Sequence, residues 1–232
     1  MEHDRPCRFV LLAAVALLAS LLLFACVSTP FRGLDQPAPA RATADPAVVA
    51  LRAKLGEGAK SILRAKQLIV RGRRFTMDCT GVVLAVYWYA GIDLARDFTR
   101  FSGGGVERIY KTLERENLLY STATPLVGDI IFWDNTYDHD EDGRWDDPLS
   151  HAGMVTGVDP DGTIAYIHYH VTRGIRVDFM NLRSPAVQST MEAGHMKVIN
   201  SPMRLAVPGK PHPPNWLAGQ LYRVLGLGYL LQ

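Results

Sequence analysis

Thr76-Met77-Asp78-Cys79-Thr80-Gly81-Val82-Val83-Leu84 sets a single cysteine between two polar residues at the head of an apolar run. The run continues Ala85-Val86-Tyr87-Trp88-Tyr89-Ala90 and stops at Gly91. Its length of about twelve residues predicts a buried helix rather than a strand. Val82, Val83 and Val86 are β-branched and pull weakly the other way. Thr76 or Asp78 can cap the start, and Gly91 suits the position just past the end. This reading puts Cys79 in the first helical turn, where free N–H groups and the helix dipole favour a thiolate. The dipole contributes only about 0.3–1 kcal/mol, under one pKa unit, so a thiol nucleophile needs a histidine from farther along the chain.

The chain has 232 residues, 48% hydrophobic and 21% charged, which suits one domain with a proper core. A net charge of +2 gives no reason to expect a nucleic-acid partner. The three cysteines are Cys7, Cys26 and Cys79. Arg5 and Arg8 precede an apolar run from Phe9 to Ala25, the pattern of a secretory signal over residues 1–25. The run ends Leu23-Phe24-Ala25-Cys26, which resembles the lipobox of bacterial lipoproteins and implies cleavage before Cys26 and lipidation of its thiol. The alternative is an uncleaved anchor helix. Either way the expectation is an exported protein tethered to the membrane of the bacterial envelope, facing the periplasm. With the signal cleaved and Cys26 lipidated, Cys79 would be the one free thiol in an oxidising compartment, a first reason to see it as retained for reactivity.

Residues 26–44, rich in Pro, Ala, Thr and Arg, read as a lipid-anchored flexible linker. Asp45-Pro46 predicts the start of an amphipathic helix over about 46–66. Arg71-Gly72-Arg73-Arg74 reads as a solvated basic loop, with a substrate-carboxylate contact as the sharper alternative. A second helix follows over about 106–113. From Leu126 the period becomes that of strands: Gly128–Trp133, His151–Gly157, Thr163–His170, Ile175–Asp178 and His195–Ile199. Helices first and an antiparallel meander afterwards predict an α+β fold over residues 45–200. Residues 201–232 read as a Pro-rich C-terminal extension without assigned function.

A cysteine nucleophile needs a base and a third group that orients the base. His139, His151, His168, His170 and His195 are the candidates for the base. His151 opens a strand beside small Ala152 and Gly153, and His168 lies on the next strand across the Asp159-Pro160-Asp161-Gly162 turn. Adjacent antiparallel strands can bring those two rings together.

Four segments in order resemble the NlpC-type cell-wall peptidases: Asp78-Cys79-Thr80-Gly81, Gly128-Asp129-Ile130-Ile131-Phe132, His151-Ala152-Gly153-Met154-Val155 and Tyr166-Ile167-His168. The resemblance spans about residues 67–180. It implies a papain-like fold with Cys79 as nucleophile, His151 as base and His168 as the orienting residue. It also implies hydrolysis of peptide bonds in peptidoglycan stems. The related CHAP amidases share the same order of cysteine and histidine and form one alternative. A non-catalytic wall-binding lipoprotein on the same fold is another. A metal-dependent hydrolase built on His139, His151, His168 and His170 is the third, weakened by the lack of a compact ligand motif.

The loop before His151 carries a separate signal. Asp138, Asp140 and Asp142 followed by Gly143 match the first half of an EF-hand-type calcium loop. Asp146 falls at position nine and the carbonyl of Arg144 at position seven, while Leu149 stands where a bidentate Glu belongs. Asp147 can substitute in a shifted geometry. The expectation is a structural Ca²⁺ that orders the loop without taking part in the chemistry.

Overall fold

A computed structural model describes Leu34 and residues 37–204 and 213–231. The signal segment, Cys7, Cys26 and most of the linker lie outside the described residues. Among the described residues no helix is long and apolar enough to cross a membrane.

The chain runs α1 (Ala40–Ala44), α2 (Pro46–Ile62), β1 (Leu68–Val70), β2 (Arg73–Phe75), α3 (Cys79–Ala90), α4 (Gly105–Arg115) and β3 (Leu119–Tyr120). Then come β4 (Ile130–Trp133), β5 (His151–Val158), β6 (Ile164–His170), β7 (Gly174–Met180), β8 (Ser189–Glu192) and β9 (His195–Val198). α5 (Ala218–Leu221) and β10 (Tyr222–Gly226) close it. Six strands form one antiparallel sheet in the order β3-β10-β4-β5-β6-β7. This is the expected α+β architecture, with Cys79 opening a helix that packs on an antiparallel sheet.

The two faces of the sheet can be read from β4, whose four residues are all fully buried. Ile130 and Phe132 join the helical layer with Val82, Val83, Val86 and Leu55. Ile131 and Trp133 point the other way, into a second cluster with Tyr166, Leu182, Ala218 and Leu221. Period-two alternation therefore feeds two cores from one strand. α3 is apolar nearly all round because it is the central helix of the first core, and burial outweighs the weak strand preference of its valines. Asp78 caps it, its Oδ1 accepting from the Gly81 amide at 2.7 Å, and Gly91 ends it in the left-handed region at φ 94°. Gly81 is required for another reason: a Cβ there would stand 1.9 Å from the Thr76 carbonyl oxygen.

Several expectations are corrected. The linker does not run to residue 44, since Ala40–Ala44 is helical and Ala42 is fully buried, its carbonyl accepting from Arg52. The long helix ends at Ile62. Arg71-Gly72 is exposed, as expected, but forms the turn of a hairpin, with φ 49° and 79°. Arg73 reaches Asp93 at 3.3 Å and lies over the rings of Phe75 and Trp88, contacts that hold structure. His195–Val198 pairs with β8 in a separate hairpin and adds nothing to the main sheet. The largest correction concerns residues 201–232. β10 inserts between β3 and β4, and Leu225, Leu227 and Tyr229 are core residues. The last stretch is part of the domain, and its strand is too short to carry a pattern in the sequence.

Candidate active site

Cys79 and His151 line the same cleft. α3 brings Cys79 from the helical side, and the backbone of Ala152 and of Thr80 is near enough to favour its thiolate form. Ala152 is the second residue of β5, so the thiol sits beside the strand end that carries His151. Cys79 is a free thiol. Both residues line one open cleft of about 540 Å³, together with Asp78, Tyr137, Trp145, His168, His170 and Met203.

The histidines are ordered by a chain of hydrogen bonds. His151 Nε2 lies 2.9 Å from His168 Nδ1, and His168 Nε2 lies 2.9 Å from Asp178 Oδ2. The other oxygen, Asp178 Oδ1, accepts from Arg176 Nη2 at 2.7 Å. His168 and Asp178 are almost wholly buried, at 3% and 4% exposure. Register explains the alignment: Tyr166 pairs with Asp178 and His168 with Arg176 on β7, all on the face of Trp133. Gly153 makes room, because a Cβ there would lie 2.9 Å from the Ile167 carbonyl and 3.3 Å from His168 Cβ.

With Asp178 as acceptor and His168 neutral, this chain orders the tautomers: His168 donates from Nε2 and keeps a lone pair on Nδ1. His151 must then donate from Nε2, which leaves its Nδ1 as the nitrogen with a free lone pair. Asp178 was not anticipated from the sequence. The signal was there as an acidic residue on the strand following His168, but its register with that strand is a tertiary fact.

The electrostatics of both groups are set by burial. Both groups reach solvent through the cleft, yet protein surrounds them closely. Burial pushes the Cys79 thiol above its usual 9.0, with the Asp78 charge adding to the rise and the Ala152 and Thr80 hydrogen bonds opposing it. Burial, and after it the nearby His168 and His170, push His151 well below 6.5. Both shifts favour the neutral thiol and neutral imidazole, so the helix dipole does not make a resting thiolate here.

The remaining sequence candidates fall as follows. His170 is on the rim of the cleft, its ring 6.1 Å from that of His168. His139 is exposed beside Tyr137, and His195 lies on the β8–β9 hairpin, so neither joins the site. Among the described residues the histidines do not converge as metal ligands. The group that does is Asp138, Asp140 and Asp147, whose carboxylate oxygens lie within 4.8 Å of one another. Asp142 and Asp146, expected as ligands, are outside that group. Asp142 instead accepts from the Arg144 amide at 2.8 Å and faces the Arg144 guanidinium at 3.6 Å.

Tyr169 and Val171 of the cleft also line a groove of about 870 Å³ bordered by Arg64, Lys66, Arg173 and Arg176. The C-terminal segment also contributes. Met203 lines the cleft, its sulfur 3.3 Å from the Tyr166 hydroxyl, and Arg204 lies under the Trp145 ring at 4.2 Å.

Comparison with known proteins yields no match among curated proteins and none among solved structures. A family model does match: residues 70–170 fit that of the CHAP domain, a cysteine- and histidine-dependent amidohydrolase/peptidase domain. The match runs from the end of β1 to the end of β6 and contains Cys79, His151 and His168. The group named as an alternative to the NlpC-type peptidases is the one that the chain matches, and its papain-like fold agrees with the α+β arrangement described above.

Proposed function

We propose that the protein is an exported cysteine peptidase or amidase, anchored to the membrane through a lipidated Cys26, that hydrolyses peptide bonds in the stem peptides of peptidoglycan. The observation that carries this reading is the hydrogen-bonded chain His151–His168–Asp178, which holds His151 in the same cleft as Cys79. The CHAP match supports the substrate class.

In this reading His151 Nδ1 takes the Cys79 thiol proton as the sulfur attacks the amide carbonyl carbon. A C–S bond forms, and negative charge moves to the carbonyl oxygen. The N–H of Cys79, at the helix start and without an intrahelical partner, would hold that oxygen. The tetrahedral centre collapses, the C–N bond breaks, and His151 returns the proton to the leaving amine. Water, activated by the same nitrogen, then hydrolyses the thioester. Starting from a neutral pair, proton transfer accompanies attack, and burial keeps His151 unprotonated and ready to accept. His168 and Asp178 touch no reacting atom in this scheme; they position the base. The cations of the adjoining groove suit the carboxylates of a stem peptide.

The test is a digest of purified peptidoglycan read by mass spectrometry, wild type beside Cys79→Ala. New peptide termini that appear only with the wild type support the reading. Binding of intact muropeptides without cleavage by either protein would make it a wall-binding module. Labelling with a fatty acid, wild type beside Cys26→Ser, tests the anchor, and an unlabelled wild type would count against lipidation.

A further inference from the structure

The loop between β4 and β5 is folded with care at its neck and crowded with charge at its tip. Asp134 accepts from the Leu149 amide at 2.7 Å, the Asn135 amide donates to the Asp147 carbonyl at 2.7 Å, and Thr136 meets Ser150 at 2.9 Å. These bonds bring Asp147 back beside the start of the loop. At the tip, Asp138 Oδ2 accepts from the Gly143 amide at 2.9 Å, with Gly143 at φ 83° making the turn.

Asp138, Asp140 and Asp147 thus present oxygens within 4.8 Å of one another. Like charges so close repel unless a cation joins them. A second observation is independent of the clustering. Asp147 is only 8% exposed, and its Oδ2 is buried without a hydrogen-bond partner. Buried carboxylate oxygens are costly when unpaired and are ordinarily satisfied by a donor or a metal. Asp147 therefore carries a buried oxygen without a donor and belongs to the converging group.

We propose that Asp138, Asp140 and Asp147 form a calcium site whose occupancy sets one wall of the active cleft. The donors are all hard oxygens, which suits Ca²⁺ over softer transition metals. The site is not the linear EF-hand set, because the closing carboxylate is Asp147, one residue beyond position nine. Trp145 and Tyr137 belong to the same loop and line the cleft beside Cys79 and His151. Calcium that pins the loop therefore pins the surface against which substrate would lie. Only this last consequence rests on the proposed hydrolase activity; the metal site does not.

The test is calorimetric titration of calcium chloride into chelator-treated full-length protein, with the thermal midpoint and the Trp fluorescence followed in parallel. Saturable binding at or below about millimolar calcium, with a raised midpoint, is the expected result. Asp138→Asn and Asp147→Asn should each weaken binding at least tenfold, and Asp142→Asn should weaken it much less. Asp147→Asn should also raise the midpoint of the calcium-free protein, since it removes a buried unpaired charge, so a folded variant remains to be measured. No heat and no midpoint shift in the wild type would overturn the site. Binding unchanged in Asp147→Asn, or weakened most in Asp142→Asn, would overturn this ligand set. Binding that proceeds as described in a protein without hydrolytic activity would leave the site standing and count against the proposed function.

Discussion

Asp178 decides which nitrogen of His151 carries a proton, and it does so from two rings away. Replacing its carboxylate with an amide lets the side chain donate to His168 Nε2. His168 would then carry its proton on Nδ1 and oblige His151 to accept at Nε2, leaving Nδ1 protonated and useless as a base. Asp178→Asn should therefore lower kcat by about 10²- to 10⁴-fold, the scale of a lost general base, while KM changes little. A retained kcat would mean that the hydrogen-bond chain does not orient the base. The neutral resting pair has its own signature. The thiol titrates above 9.0 and the imidazole well below 6.5, so the thiolate fraction keeps growing as pH rises past neutrality. The rate of Cys79 alkylation by iodoacetamide should still be climbing at the upper end of the accessible pH range. A plateau across the neutral range would show an ion pair instead. At this scale Cys79, His151 and His168 were legible in the sequence, because a cysteine at a helix start and histidines on successive strands leave local marks. Their ionisation was not, because it depends on how much protein surrounds each group.

The elements were legible in proportion to how local their causes are. Capping by Asp78 and termination at Gly91 are written within a few residues, and α3 was read with its ends in place. The β1–β2 hairpin was missed because Arg71 and Arg74 look like solvated charge, and three-residue strands give too little alternation to register. β9 was read as a strand but given to the wrong sheet, since pairing partners are not encoded in alternation. The small residues after His151 were read as leaving its ring open to approach, and the structure shows that Gly153 also lets β5 lie close to β6. Gly153→Ala tests that close approach. Its Cβ would press on the Ile167 carbonyl and on His168, neither of which is a flexible tip. Overpacking there should cost about 1–3 kcal/mol of stability and lower activity further through displacement of His168. An active enzyme with an unchanged thermal midpoint would show that the two strands have slack.

Taken whole, the domain is one sheet with a core on each side, and its last residues close both. Leu221 and Leu225 belong to the second core, Leu227, Tyr229 and Leu230 to the first. Burying five such side chains contributes about 10 kcal/mol, comparable with the whole stability of about 5–15 kcal/mol expected of a domain. A chain ending at Asn215 should therefore fail to fold, and circular dichroism with a cooperative melt would contradict that. The sequence could not reveal this, because β10 joins β3 and β4 across some hundred residues and its five-residue run carries little pattern of its own. Its neighbours Met203 and Arg204 also reach the cleft and the calcium-loop tryptophan, so the cleft is finished by the end of the chain. All of this serves one claim, that Cys79 attacks the substrate with His151 as its base. The most direct measurement is acid quenching of the enzyme during turnover of a peptidoglycan peptide, followed by mass mapping of the Cys79 segment. The account predicts an acyl thioester on Cys79, and no products at all from Cys79→Ala. Products that accumulate with Cys79 unmodified, and a Cys79→Ala protein that cleaves at the wild-type rate, would contradict it.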